Sequence, residues 1–404
     1  MRRTQHNKVL IYCQDSLGLG HLRRNINIAH ELYRQDPSTQ ILFLADSPLA
    51  PFFKLPPSGD FIKLPTVVKV DAGVWQAHKL PRLNIERTWQ LRSQLIKQVA
   101  SQYKPNILLV DHMPQGASRE LLPCLQMLRA ELPNTRNIVG LRDILGAPDV
   151  IKRQWSIEGA YDMIRQYYDH VLVYGTPDIY DLPTDCDFPS GVREKVQFCG
   201  YVSPNLDHAR PLSKPLAEQF PEKRPFTLLV MGGGGSDAHF FMDTFLNTLR
   251  YLGNDIVFNT LVLTGPFMPE PAREALRQKA FGLPVLIKQM EDDSLGYYDE
   301  TDLVVSMAGY NTTCEVLRFR KKAIMVPRAG PSAEQGMRCK ILHERDLIHS
   351  IHPTHLTVQK LADVIMARLH EEERPLRQYP RLDGAANAAQ YILEPSSIKS
   401  CIPA

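Results

Sequence analysis

The chain has 404 residues, 44% of them apolar and 23% charged, the composition of a globular protein large enough for two domains. No apolar run approaches the ~20 residues that cross a bilayer, MRRTQHNKVLIYC enters a strand without a signal-peptide core, and the seven scattered cysteines never form CxxC; the sequence predicts a cytoplasmic protein with neither disulfide framework nor zinc site. Formal net charge is +3, yet residues 1 to 110 hold 15 Lys+Arg against 7 Asp+Glu, which points the first part of the chain toward an anionic partner, unless the excess is only a solvated basic face.

In chain order, the apolar run Val9 to Cys13 reads as a strand, DSLGLGH (Asp15 to His21) as a tight turn, and Arg23 to Tyr33 as an amphipathic helix. Further strand-like runs at Gln40 to Ala45, Ile107 to Asp111, Asn137 to Leu141 and His170 to Tyr174 alternate with helical stretches such as Leu91 to Tyr103, which predicts a parallel sheet covered on both faces. Residues 1–200 form this first domain, and the proline-rich stretch 201–225 is the expected linker. A second αβ series fills 226–380, opening on FTLLV and the turn MGGGGSDA (Met231 to Ala238). The segment 381–395 is the expected last helix, packing back on the first domain.

The fold class is therefore α/β, with two Rossmann-like domains facing across a cleft, each binding at the carboxyl ends of its strands. Neither half carries a convincing GxGxxG dinucleotide fingerprint, and GxxxxGK[ST] is absent. What recurs is strand, glycine turn and helix start, where backbone N–H groups and the helix dipole favour a phosphate. In the second half SMAGYNTTCEVL (Ser306 to Leu317) follows the strand DLVV. Ala308, Gly309, Asn311 and Thr312 there offer N–H and hydroxyl groups, and Glu315 lies about 9 Å further along the helix, near the offset of a ribose from a diphosphate. An ordinary capped helix with a solvent-facing glutamate is the competing reading. In PRAGPSAEQGMR, Glu334 and Gln335 suit sugar hydroxyls but also fit first-turn helix chemistry.

The ordered trio MGGGGSDA, SMAGYNTTCE and PxxxPxxEQ resembles the inverting two-Rossmann-domain (GT-B) glycosyltransferases. The likeness is to family 28, and in particular to the bacterial peptidoglycan lipid-intermediate N-acetylglucosaminyltransferases. The resemblance covers nearly the whole chain and is most specific in the C-terminal half. It implies that Gly233, Gly234, Gly235 and Ser236, with Ala308 to Thr312, hold the donor diphosphate. Glu315 would take the ribose, Glu334 and Gln335 the donor sugar, and the backbone near Lys288 to Met290 the uridine base. In the first half LGLGH supplies the family's glycine turn ending in histidine, although DSLGLGHLRR replaces a richer glycine run.

The expected catalytic pair is His21 as base and Asp111 orienting it, because imidazole titrates near neutral pH and both residues end first-sheet strands or turns. A histidine at a helix start also serves as a plain structural cap. Gly18, Gly20, Arg23 and Arg24 are the expected acceptor-side ligands. The reading needs no cofactor and no metal, with a UDP-sugar as donor substrate and a phosphorylated or lipid-linked acceptor of the cell envelope. Asp185-Cys-Asp187 has DxD form and Glu291-Asp292-Asp293 is acidic, but loop carboxylates alone make a poor metal site. Trp75 to Lys97, with two tryptophans and five Lys/Arg, is the candidate for peripheral contact at the inner face of the membrane. A nucleotide-sugar epimerase and a non-catalytic nucleotide-sugar-binding protein remain the alternatives. Nucleic acid is not expected, since no interleaved aromatic and basic signature appears.

Overall fold

The structure is a computed structural model and describes residues 7–71, 74–80, 82–206, 211–290, 294–330, 333–372 and 379–394. Two compact units divide the chain: Met1–Ser203 with Pro380–Ala404, and Pro204–Tyr379.

The first unit contains β1 (Lys8–Cys13), β2 (Gln40–Ala45), β3 (Gly59–Lys63), the antiparallel pair β4 (Val67–Asp71) and β5 (Val74–Ala77), then β6 (Ile107–Asp111), β7 (Arg136–Arg142), β8 (His170–Tyr174) and β9 (Val196–Phe198). Seven of these form one parallel sheet in the order β3-β2-β1-β6-β7-β8-β9. Its central strands are apolar almost without interruption because helices cover both faces; Val9, Leu10 and Ile11 are buried, as are Ile107 to Val110. The helices are α1 (Gly20–Gln35), α2 (Ile85–Tyr103), α3 (Leu122–Glu131), α4 (Pro148–Glu158), α5 (Ala160–Tyr167), α6 (Leu182–Asp185) and α7 (Ser190–Arg193). Helix α1 buries Leu22, Ile26, Ala29 and, on the neighbouring row, Ile28 and Leu32, a three-to-four-residue repeat that turns one wide face to the sheet. Removing a fully buried anchor such as Leu32 by substitution to alanine costs about 2–5 kcal/mol.

The second unit contains β10 (Phe226–Met231), β11 (Phe258–Leu263), β12 (Val285–Lys288), β13 (Leu303–Met307), β14 (Lys322–Val326) and β15 (His349–Ser350), in the order β12-β11-β10-β13-β14-β15 and parallel throughout. Helices α8 (His239–Leu252), α9 (Glu270–Ala280), α10 (Gly296–Asp299), α11 (Tyr310–Arg318), α12 (Glu334–Glu344) and α13 (Val358–His370) accompany it. The proline-rich stretch after Tyr201 is not a bare spacer: Leu216 is buried, and its N–H donates to Glu300 Oε2 at 2.5 Å. The last helix, α14 (Gly384–Leu393), packs on α1 in the first unit, where Arg136 Nη2 donates to the Ile392 carbonyl at 2.6 Å.

In both sheets the strand order reverses beside the first strand, between β1 and β6 and between β10 and β13. Open α/β sheets leave a crevice outside the carboxyl ends at such a point. Cys13 stands opposite Asp111 in one register, and Met231 opposite Ser306 in the other. Topology alone thus delivers the motif residues to the two crevices.

Candidate functional site

The second unit's site starts from glycine stereochemistry. Gly235 lies at φ +89°, and a Cβ on it would sit 2.1 Å from the Thr264 carbonyl oxygen, so only glycine fits. The loop after β11 presses back: a Cβ on Gly265 (φ +87°) would lie 2.5 Å from the Gly233 carbonyl oxygen. Gly235 N–H donates to Gly232 O at 3.1 Å and Phe267 N–H to Gly234 O at 2.9 Å, which holds the turn as a rigid backbone surface. Gly309 is the N-cap of α11 in ordinary extended geometry, with no side-chain cap bond, and a Cβ there would meet nothing within 4 Å. A helix start open in this way presents N–H groups and positive potential to an anion.

Three side-chain links tie the other expected donor residues to this turn. Arg338, only 1% exposed, donates through Nη2 to Glu334 Oε1 at 3.0 Å and through Nη1 to the Ala308 carbonyl at 3.1 Å, with its guanidinium over the Tyr310 ring. Gln335 Oε1 accepts the Arg328 N–H at 2.9 Å, while the Arg328 side chain forms an ion pair with Asp237 just beyond the glycines. Glu315 is 2% exposed and accepts from the Tyr298 hydroxyl at 2.9 Å; that hydroxyl also lies 3.3 Å from Met231 Sδ at the end of β10. Position 315 lies on the face of α11 turned into the unit, which excludes the solvent-facing reading of this glutamate. The three sequence segments therefore meet in one place. Near the expected base position, the carbonyls of Lys288 and Gln289 accept from Thr264 and Gly265 N–H, and Lys288 Nζ donates to Tyr297 Oη at 2.9 Å.

The first unit is arranged differently. Asp15 turns its carboxylate onto the start of α1 and accepts the N–H groups of His21 (2.8 Å) and Leu22 (2.6 Å). Asp46 at the end of β2 in turn accepts the N–H groups of Asp15 and Ser16, at 2.8 and 3.1 Å. His21 Nδ1 lies 3.2 Å from Asp111 Oδ2. Asp111 also receives Arg24 Nη2 at 2.8 and 2.6 Å and Asn25 Nδ2 at 2.6 Å. Burial acts to raise the Asp111 carboxyl, but the Arg24 guanidinium and the His21 ring reverse this and hold it well below the usual carboxylate range. Burial raises Asp15 despite His21 and the two backbone N–H groups, and raises Asp46 despite Arg92.

Two expectations change here. The first glycine turn is not an open phosphate cradle like the second, because Asp15 already occupies two helix-start N–H groups and its charge repels anions. Arg24 is fully buried against Asp111, with its guanidinium over the Tyr174 ring, so the sequence expectation of an acceptor phosphate ligand is corrected to an internal counter-ion. Arg23 follows His21 on α1, Gly18 N–H donates to Asp15 O at 2.7 Å, and a Cβ on Gly20 would meet nothing within 4 Å. In the Trp75 to Lys97 stretch Arg92 points inward, pairing with Glu120 at 2.6 Å, and so leaves the basic face. Asp187 pairs with Lys152 at 2.5 Å, Asp185 ends α6, and residues 291–293 lie outside the described residues.

Arg338, Gly265, Asp15 and His112 were not singled out from sequence. Glu334 and Arg338 are four apart on one helix, a readable pairing, and Gly265 follows a strand as the other glycine turns do. His112 had no such signal. Its ring stacks on His21 at 5.9 Å and 16°, and its backbone is left-handed at φ +52°, with Met113 beside it at +46°. Strain of this kind concentrates at functional sites.

Two order-reversing parallel sheets, each with a glycine turn at its switch point, define the class of two-Rossmann-domain GT-B proteins. Residues 227–392 match the glycosyltransferase family 28 C-terminal domain. The UDP-N-acetylglucosamine--N-acetylmuramyl-(pentapeptide) pyrophosphoryl-undecaprenol N-acetylglucosamine transferase 1 of Bacillus cereus is 26% identical over 190 residues, 45% of this chain; the match spans 48% of that relative, about half its length. Among solved structures, MurG of Acinetobacter baumannii has a TM-score of 0.54 at 15% identity, covering 95% of each chain. A UDP-glucosyltransferase of Polygonum tinctorium has a TM-score of 0.62 at 16% identity, covering 97% of this chain and 96% of its own. A putative UDP-N-acetylglucosamine 2-epimerase of Listeria monocytogenes shares the fold too, with a TM-score of 0.59 at 12% identity over 96% of this chain and 95% of its own.

Proposed function

We propose that the chain is an inverting, metal-independent glycosyltransferase that moves a sugar from a UDP-sugar to a hydroxyl of a phosphorylated or lipid-linked acceptor. The observation that carries the reading is the rigid glycine surface at Gly232 to Gly235 beside the uncapped start of α11 at Gly309. The family 28 match over the same unit and the undecaprenol-linked name of the Bacillus cereus relative support it. The second unit takes the donor, with the starts of α8 and α11 stabilising the charge that grows on the departing diphosphate. The first unit takes the acceptor. His21 Nδ1 lies 3.2 Å from Asp111 Oδ2 and 3.0 Å from Arg24 Nη2. In the tautomer that donates Nδ1–H to Asp111, Nε2 receives the acceptor hydroxyl proton, that oxygen attacks the anomeric carbon, and the bond to the diphosphate breaks with its electron pair leaving on UDP. Asp111, kept ionised by Arg24 and His21, is suited to support the imidazolium so formed. The basic excess of residues 1 to 110 suits an anionic acceptor or a membrane surface. Among the described residues no helix is long and apolar enough to cross a membrane.

Incubation with UDP-N-acetylglucosamine and a polyprenyl-diphosphate-linked sugar tests the reading. Release of UDP together with a β-linked product is expected from an α-linked donor, unaffected by chelators and reduced at least a hundredfold in His21→Ala, as loss of a general base demands. An isomerised nucleotide sugar formed without acceptor would point to the epimerase chemistry that the same fold supports. A Glu315→Ala protein is expected to bind UDP more weakly; unchanged affinity removes the ribose assignment.

A further inference from the structure

We infer that Arg328 is a diphosphate ligand of the second unit, held in reserve on Asp237 until an anion takes its place. The inference rests on the donor reading above and adds a residue that reading leaves without a role. Arg328 stands two residues past the carboxyl end of β14, at the start of the loop to α12. Its backbone is fixed by the Gln335 side chain, which accepts the Arg328 N–H at 2.9 Å. Its side chain crosses to Asp237, two residues beyond the last glycine of MGGGGSDA, and pairs through Nε with Oδ2. The cation is thereby anchored at the mouth of the same glycine turn that offers its backbone to the donor.

The charge arrangement gives the pair its meaning. An unopposed Asp237 carboxylate beside this turn would repel a diphosphate, and Arg328 cancels it while the site is empty. The two side chains are 48% and 37% exposed, so water and salt screen the pair and it exchanges readily. A guanidinium offers parallel N–H donors that match two phosphate oxygens, and a diphosphate carries more charge than one carboxylate. On donor binding Arg328 moves to the diphosphate and Asp237 is released to water. No covalent step is involved.

Calorimetric titration of UDP into wild type, Arg328→Gln, Asp237→Asn and the double variant tests this, with thermal melting as the control for folding. Arg328→Gln is expected to weaken UDP binding about tenfold in both the wild-type and the Asp237→Asn backgrounds, as loss of a charge-assisted phosphate contact requires. Asp237→Asn alone is expected to tighten binding about threefold by removing the competing carboxylate. If Arg328→Gln weakens binding in wild type but not in the Asp237→Asn background, the arginine only screens Asp237 and the inference is overturned. Equal UDP affinity in all four proteins also overturns it and leaves the donor reading intact. Wild-type protein that binds neither UDP nor UDP-N-acetylglucosamine defeats the donor reading itself, and this inference with it.

Discussion

The two glycine turns leave the first strand of the same kind of sheet, yet the helix starts at the two strand-order reversals, α1 and α11, are used in opposite ways. In the first unit Asp15 accepts two of the N–H groups at the start of α1, and the neighbouring polar side chains gather on Asp111, with Arg24 and Asn25 buried beside it and His21 partly exposed. In the second unit glycine backbone is packed against glycine backbone, and Gly309 opens α11 with no Cβ and no side-chain cap. Glycine content therefore does not by itself make a phosphate site. One carboxylate aimed at the helix start converts such a turn into a scaffold that fixes a histidine.

The largest effect that would break this comparison is on the buried charges of the first unit. Arg24→Ala leaves the Asp111 carboxylate buried without its guanidinium, and should cost about 3–5 kcal/mol. All three tryptophans, Trp75, Trp89 and Trp155, belong to this unit, so the loss is read in urea unfolding by tryptophan fluorescence. A midpoint unchanged from wild type would mean that the buried set does not hold the unit together. Next comes Gly235→Ala, which forces a Cβ against the Thr264 carbonyl at positive φ and should cost about 2–3 kcal/mol in the second unit. Circular dichroism should record that loss while the tryptophan transition stays in place; movement of the tryptophan transition instead would contradict the assignment of the strain.

A smaller effect follows from pH. The folded pKa of Asp111 is depressed, so its stabilisation is present above the unfolded aspartate value of about 4 and is lost as pH falls below that toward the folded value. Asp15 and Asp46 have raised values and the opposite sign: their contribution is present below about 4 and lost as pH rises through the raised values. The tryptophan-reported midpoint of wild type should fall below about pH 4, whereas Asp111→Asn should lack that acid loss and keep only the decline that Asp15 and Asp46 give as pH rises above about 4. Parallel pH profiles for the two proteins would show that Asp111 is not the group responsible.

Much of the fold was legible because parallel strands and amphipathic helices leave periodic marks: the strand runs ending at Cys13, Asp111, Met231 and Met307 are long, apolar and followed by turn residues. Those strand ends located both crevices. The short strands β3, β9 and β15 are not legible in the sequence, since two to five residues without a fully buried face carry no clear pattern. The donor segments were legible as motifs, but the side chains that connect them were not. Arg338 and Arg328 act over distances set by tertiary packing, and the direction of Arg24 into the unit rather than out of it depends on Asp111, 87 residues away. Charge adjacent to a motif says that a residue is near a site; only packing says which way it faces.

The claim that the second unit's crevice, with the open start of α11, holds the nucleotide diphosphate and that the first turn does not is tested most directly by one paired titration. Gly309 and Gly20 both have open space where a Cβ would stand, so alanine at either leaves the local packing undisturbed and meets only a bound ligand. Calorimetry with UDP-N-acetylglucosamine should show Gly309→Ala losing at least tenfold in affinity, about 1.4 kcal/mol, with its melting temperature lowered by no more than the few degrees that alanine at an N-cap costs, and Gly20→Ala staying within about twofold of wild type. Full affinity in Gly309→Ala, or a loss confined to Gly20→Ala, would contradict the account.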